Sequence, residues 1–227
     1  MNELMHETLS SHYQRIGAVR SHAGRCAMDI PPSIAGKRVL DVCCRKGKGA
    51  FELSDYTGKD GFVLGIDPDA SNVDRARACA ADNHWAGNRW QSYLRFSQAW
   101  PEDLSCAGVL DRSFDLVYIN SALNLCWDLQ LALAEFHRVL VPGGRLWVAE
   151  GIFSAGGEVQ SAPAAEVGAD DVFSAAQSCD VFDAACRAAG FSSVSFGKAV
   201  AVYPDDVGGC SSVPSPEFVR CSVCGIA

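Results

Sequence analysis

The chain has no apolar run approaching the roughly 18–20 residues that a membrane-spanning helix requires. Its first residues, MNELMHETLSSHYQR, are polar and contain no signal-peptide core, so the default expectation is a cytoplasmic protein. Positive charge is also in short supply: 19 Lys and Arg stand against 27 Asp and Glu, a formal net charge of −8. That balance argues against a surface built to grip nucleic acid or an anionic membrane. Histidine is sparse, with five residues, and no Ser-His-Asp order or paired-carboxylate motif stands out. Hydrolytic chemistry built on such groups is therefore not indicated.

Cysteine, by contrast, is plentiful: eleven residues in 227. A disulfide framework belongs to small secreted domains that lack a core, and this chain is long enough to bury one large core. With 48% hydrophobic and 20% charged residues the composition is that of an ordinary globular domain. Most of the cysteines read as small, reduced, buried residues. The terminal pair Cys221 and Cys224 is half of a zinc set, and in a strand residues three apart face opposite ways. Cys221 is expected in the core with Val219 and Val223, and no metal site is expected.

Residues 3–20 carry Leu9, Tyr13 and Ile16 at helical spacing, and the first 25 residues are expected to form a helical lid. Strands are expected at 38–43, 62–67, 91–96, 113–120 and 145–150. Helices are expected at 48–56, after Ser71 with a Ser71/Asp74 capping box, at 128–140 with a Leu129, Leu133, Phe136, Leu140 stripe, and at 179–189. Pro142-Gly143-Gly144 reads as the stop of the 128–140 helix. Residues 151–178 read as a flexible insert over the site, and 193–203 and 217–224 as closing β-rich stretches. Strand–helix alternation followed by strands alone predicts a single domain over 1–227. Its fold class is α/β, Rossmann-like and doubly wound: a mostly parallel seven-stranded sheet, helices on both faces, an antiparallel C-terminal strand.

In such sheets ligands sit beyond the carboxyl ends of the strands, at the switch point. The first strand ends in Asp41 and runs into DVCCRKGKG, a turn that precedes a helix, as in nucleotide-like cofactor sites. The second strand ends in Asp67, followed by Pro68; an acid there can accept both hydroxyls of a ribose. Asp-Pro-Asp also favours a turn, so capping is the competing reading of Asp67.

KRVLDVCCRKGKG, VLGIDPD, SFDLVYINSALN and HRVLVPGGRLWVAE together resemble the class I S-adenosylmethionine-dependent methyltransferases. WPEDLSCAGVLDRSFDLVYINSALNL is similar to the arsenite methyltransferase-type branch. The family loop is Asp-x-Gly-x-Gly-x-Gly; here Cys43 and Arg45 occupy the first two glycine positions and Gly47 the third. A Cβ there costs about 1 kcal/mol if φ must be positive. The resemblance implies S-adenosylmethionine as cofactor, held by Asp41, Cys43, Cys44, Arg45, Lys46, Gly47, Asp67 and Pro68. Arg45 or Lys46 can meet the carboxylate of the cofactor's methionine end; a solvated basic rim is the other reading. On the adenine side the family places an acid after the third strand, which points to Trp100, Pro101 and Glu102, with Trp100 in the core as the alternative. Asn120 ends the fourth strand and is expected at the methionine end or the acceptor.

Arsenite methyltransferases hold their substrate with several thiolates. Cys26 matches the first by its spacing to Asp41, whereas Ala50 stands where a second would fall and 151–178 contains no cysteine. The expected function is methyl transfer to an unidentified small-molecule acceptor, by alignment more than by acid–base chemistry. The alternative is a catalytically degenerate fold that binds a ligand or senses through thiols.

Overall fold

The computed structural model describes residues 3–18, 28–82, 93–155, 172–173, 175–202 and 218–227. In chain order its elements are α1 (Glu3–Ala18), β1 (Arg38–Val42), α2 (Lys48–Thr57), β2 (Phe62–Asp67), α3 (Ala70–Asp82), β3 (Leu94–Gln98), β4 (Phe114–Ile119), α4 (Leu129–Val139), β5 (Leu140–Ser154), α5 (Cys179–Ala188), β6 (Ser193–Phe196), β7 (Val200–Val202) and β8 (Phe218–Ile226). The sheet order is β3-β2-β1-β4-β5-β8-β6, with β7 also paired to β8. β1 to β5 pair in parallel, and β8 runs antiparallel to β5, β6 and β7.

Among the described residues eight strands rather than seven make the sheet, because the edge expected over 193–203 is broken in two. β6 pairs with Val223–Ile226 and β7 with Phe218–Arg220, so both lie along one side of β8 and the sheet is seven positions wide.

The period of two decides which residues face which layer. Leu40 and Val42 of β1, with Val117 and Ile119 of β4, pack under α4 and α5 against Leu133, Phe136 and Phe182. Val39, Leu116 and Tyr118 face the other way, against Ala50 and Leu53 of α2 and Val73 and Ala76 of α3. Asp41 shares that second face and comes under the first turn of α2; a Cβ on Gly49 would lie 3.2 Å from its Oδ2. Leu9, Tyr13 and Ile16 of α1 are buried as their spacing predicts, against Leu125, Ile152 and Phe218 near the carboxyl ends of the strands.

Three local expectations are corrected. α3 is capped by Asp69, whose Oδ1 accepts the Ser71 amide at 2.8 Å, not by a Ser71/Asp74 box; Asp74 pairs with Arg77 instead. Asp-Pro-Asp thus supplies both the strand end and the cap. Pro142-Gly143-Gly144 does not stop α4, which ends at Val139 where Leu140 pairs with Phe114. It forms an irregularity inside β5, between the Phe114–Leu140 and Leu116–Arg145 pairs. Gly143 has φ +77°, and a Cβ on Gly144 would lie 2.8 Å from the Val141 carbonyl, so the tripeptide suits the distortion. Finally, 151–154 belong to β5 rather than to an insert. Most of 155–171, along with Cys26, His22, His84 and Cys210, lies outside the described residues.

Cys221 is buried beside Val223 as expected, and its thiol hydrogen-bonds to that of Cys179. Among the described residues no cluster of His, Cys, Asp and Glu suits a metal ion, and no helix is long and apolar enough to cross a membrane.

Candidate functional site

After β3 the chain returns to the other side of β1, so the switch point lies between β1 and β4. A cavity of about 320 Å³ opens there. One end is polar, lined by Arg45, Lys46, Asp67, Asp69, Ser71, Asn72 and Arg75. The other is largely apolar, formed by Tyr13 and Ile16 of α1 with Ala122 and Leu125 after β4. Cys43, Pro68, Asn120 and Ser121 complete the wall.

The loop after β1 keeps the conformation that glycines would give it. Cys43 has φ +57°, Arg45 φ +51° and Gly47 φ +84°. All three family glycine positions are left-handed, although two carry side chains, at a cost of roughly 1–2 kcal/mol each. Gly47 has no substitute: a Cβ would lie 2.9 Å from the Phe96 ring and 3.1 Å from Ala76. The Cys44 amide donates to Ile66 O and the Gly47 amide to Cys44 O, which pins the turn to β2. Cys44 is buried, with its thiol against the backbone, and burial raises its pKa. Cys43 is also held as a neutral thiol by burial, reinforced by Cys126, Asp67 and Glu102.

Asp67 organises the floor. Its Oδ2 accepts the Arg45 amide at 2.8 Å, and its Oδ1 accepts the Asp69 amide and Asn72 Nδ2, both at 3.0 Å. Burial lifts its pKa in spite of these three donors. Asp41, one strand over, has no such support: its Oδ2 is buried with no hydrogen-bond partner among the described residues. Burial, and then the charge of Asp67, push its pKa from 3.8 to about 8. Beside it lie Met28, Tyr118 and Asn120, with Met28 Sδ 3.6 Å from Tyr118 Oη and 3.5 Å from Asn120 Nδ2.

Of the expected cofactor residues, Cys43, Arg45, Lys46, Asp67, Pro68 and Asn120 line the cavity, whereas Asp41, Cys44 and Gly47 lie behind its described lining. Trp100, Pro101 and Glu102 are not among the cavity's described lining. Trp100 stacks on His6 of α1 at 4.8 Å between ring centroids. Glu102 is buried and accepts the Tyr13 hydroxyl at 2.9 and 3.0 Å and the Asp128 amide at 3.2 Å; burial raises its pKa to about 7. His6 pairs with Asp103 at 2.7 Å, and His12 hydrogen-bonds to Leu125 O. These contacts hold α1 in place. Sequence reasoning missed Ser71, Asn72, Arg75 and Ser121, and Tyr13 and Ile16 as cavity wall. The first three lie in the first two turns of α3, which follows Asp67 directly, a signal that was available; the others come from distant segments.

The two buried acids suit a particular kind of ligand. An unpartnered carboxylate at Asp41 calls for a cationic donor, Asp67 for hydroxyl donors, and Arg45, Lys46 and Arg75 at the rim for an anion. An amino acid joined to a nucleoside carries all three groups.

The strand order and loop are those of the class I S-adenosylmethionine-dependent methyltransferase fold. The chain belongs to the methyltransferase domain family, whose profile matches residues 34–185. Mouse arsenite methyltransferase is 30% identical over 147 residues, which are 64% of this chain and 36% of that protein. The aklanonic acid methyltransferase DauC of Streptomyces sp. (strain C5) is 32% identical over 148 residues, 65% of this chain and 63% of that one. The crystal structure of an arsenic(III) S-adenosylmethionine methyltransferase from Chlamydomonas reinhardtii aligns with a TM-score of 0.67 and 25% identity, covering 95% of this chain and 72% of the other. The chain therefore spans only part of the relatives it matches.

Proposed function

We propose that the protein transfers a methyl group from S-adenosylmethionine to a small acceptor, with the cofactor over the β1 and β2 loop ends and the acceptor against α1. The observation that carries this reading is the left-handed geometry at Cys43, Arg45 and Gly47 next to two buried acids, Asp41 and Asp67, on adjacent strands. Asp41 would hold the ammonium group and Asp67 the ribose. Arg45, with Lys46 beside it and the positive end of α2 behind, would face the carboxylate. The cofactor supplies an activated sulfonium methyl. The chain's task is to align an acceptor with that methyl and keep water out. α1, tied down through Tyr13, His6 and His12, serves as the lid.

Calorimetry with S-adenosylhomocysteine tests the reading: one-to-one binding is expected, and an absence of binding heat would favour a fold kept without its cofactor. The strained residues of the loop give that second reading its one specific support, and Arg45 separates the two. Arg45→Gly should raise unfolding stability by about 1 kcal/mol by relieving the positive φ, a rise of a few degrees in Tm. It should also weaken S-adenosylhomocysteine several-fold, and Arg45→Glu should weaken it more. Tighter binding by Arg45→Gly would make the arginine an obstruction.

Arsenite is not the favoured acceptor. Only Cys26 matches a thiolate position, and Cys43, Cys44, Cys106, Cys126, Cys179, Cys186, Cys221 and Cys224 all have raised pKa values, burial being the first cause. Neutral thiols are poor ligands for a soft metalloid. Slow arsenite methylation, little changed by Cys26→Ser, is the expected result. Rapid methylation abolished by that change would reverse the assignment.

A further inference from the structure

Besides Tyr13, whose hydroxyl is taken up by Glu102, the cavity wall carries a second hydroxyl backed by a carboxylate. Ser121 lines the wall directly after β4 with φ +55°, a left-handed conformation that costs a non-glycine residue energy and that collects at functional sites. Its Oγ lies 2.9 Å from Glu150 Oε2 and 3.0 Å from Asn120 Oδ1. A hydroxyl has one hydrogen, and the carboxylate is the stronger acceptor, so donation to Glu150 leaves the serine lone pairs available to the cavity. Glu150 is buried, at 8% exposure, and its Oε1 is ion-paired with Arg220 Nη1 at 3.2 Å. Burial first, and then the charges of nearby acids with Glu150 as the last of them, keep Tyr118 of β4 an un-ionised phenol. A buried carboxylate fixed by an arginine on one oxygen and by a strained serine on the other is more than the sheet needs for packing.

We propose that Ser121 and Glu150 form a proton relay for a hydroxylated, otherwise apolar acceptor, such as a phenol or an enol. The inference rests on the methyltransferase reading above and deepens it. In the step, the acceptor oxygen forms a bond to the methyl carbon while the methyl–sulfur bond breaks and its electron pair stays on sulfur. The acceptor's hydroxyl proton passes to Ser121 Oγ as the serine proton passes to Glu150 Oε2. The sulfonium charge and the carboxylate charge are cancelled together, and the proton leaves Glu150 for solvent after product release. Ser121 is the catalytic residue, since it touches the acceptor; Glu150 acts through it as a positioning residue. The apolar wall of Tyr13, Ile16 and Leu125 accounts for the rest of the acceptor, which needs one polar group and a flat apolar body.

The test uses the whole protein with S-adenosylmethionine and 1-naphthol as probe acceptor, following release of S-adenosylhomocysteine. Glu150→Gln and Ser121→Ala should each lower kcat by about 100-fold, in the range of general base catalysis, with KM nearly unchanged. In the unaltered protein kcat should be flat across neutral pH. In Glu150→Gln it should rise about tenfold per pH unit, as solvent rather than the protein must ionise the naphthol. Glu150→Asp should recover part of the rate. Calorimetric affinity for S-adenosylhomocysteine should stay within about two-fold in each variant, reporting an intact site. Failure of the unaltered protein to bind S-adenosylhomocysteine would overturn the methyltransferase reading itself. Cofactor binding without transfer to 1-naphthol, an unchanged kcat in Glu150→Gln, or a pH profile parallel to that of the unaltered protein would overturn the relay alone.

Discussion

Asp41→Asn is expected to raise the stability of the free protein at pH 8 by several kcal/mol and to leave it nearly unchanged below pH 4. The carboxyl is pushed from 3.8 to about 8 by burial and by Asp67. Below 3.8 it is protonated whether the chain is folded or not, and contributes no difference. Between 3.8 and about 8 the unfolded chain ionises this group while the folded chain keeps its proton, so stability falls as pH rises through that window. A shift of this size corresponds to an effect on the order of 5 kcal/mol, at about 1.4 kcal/mol per unit. Asparagine has the same shape and no charge to bury. Urea unfolding at pH 4, 6 and 8 measures the slope. Equal losses of stability with pH in both proteins would remove Asp41 as its source. The same property predicts a signature of ligand binding. An ammonium group beside Asp41 favours its ionised form, so S-adenosylhomocysteine binding near pH 7 should release protons, and the measured heat should depend on the buffer. Asp41→Asn should abolish that dependence and weaken binding.

Asp67→Ala has the next largest expected effect, a loss of about 10- to 100-fold in affinity for S-adenosylhomocysteine, from the 1.5–3 kcal/mol typical of a hydrogen bond to a charged group. The structure makes this residue more than a ribose ligand. Removing its carboxylate frees the Arg45 amide, the Asp69 amide and Asn72 Nδ2 at once. The turn that carries Arg45 then loses its tether to the end of β2. The chain should still fold, since the sheet core under α4 and α5 does not involve Asp67, and circular dichroism would report this. Calorimetry with S-adenosylhomocysteine and with adenosine separates the two contributions. Loss confined to S-adenosylhomocysteine would assign the effect to the loop. A parallel loss for adenosine would assign it to the ribose, and unchanged affinity for both would take Asp67 out of the site.

The order of strands and helices was legible because each element declares itself locally. Leu9, Tyr13 and Ile16 form one helical face whatever they pack against, and alternation in RVLDV sends Leu40 and Val42 to one layer and Val39 and Asp41 to the other. The position of the loop followed from the same logic, since Asp41 and Asp67 close adjacent parallel strands. Hydrogen bonds between side chains and backbone were less legible. Asp69 rather than Ser71 caps α3 because Asp-Pro-Asp places Asp69 at the helix entry, and both sequence patterns satisfy the capping rule. Pro142-Gly143-Gly144 carries the composition of a stop, but Leu140 was already committed to the sheet by its pairing with Phe114.

Local pattern alone is therefore enough to set the α/β order, the ends of the strands and the unusual side chains of the loop. What those side chains meet depends on long-range packing. The left-handed backbone at Cys43 and Arg45 is imposed by the link from the Cys44 amide to Ile66 and by the close approach of Phe96 and Ala76 to Gly47. Glu102 faces Tyr13 rather than the cavity because α1, 89 residues away in sequence, lies across the loop that carries it. Ser121 and Glu150 meet because β4 and β5 are neighbours in the sheet, although a helix separates them in the chain. Periodicity records how a residue is oriented on its own element. It holds no record of which element will lie opposite, and the chemistry of this cavity is made by residues brought together across that gap.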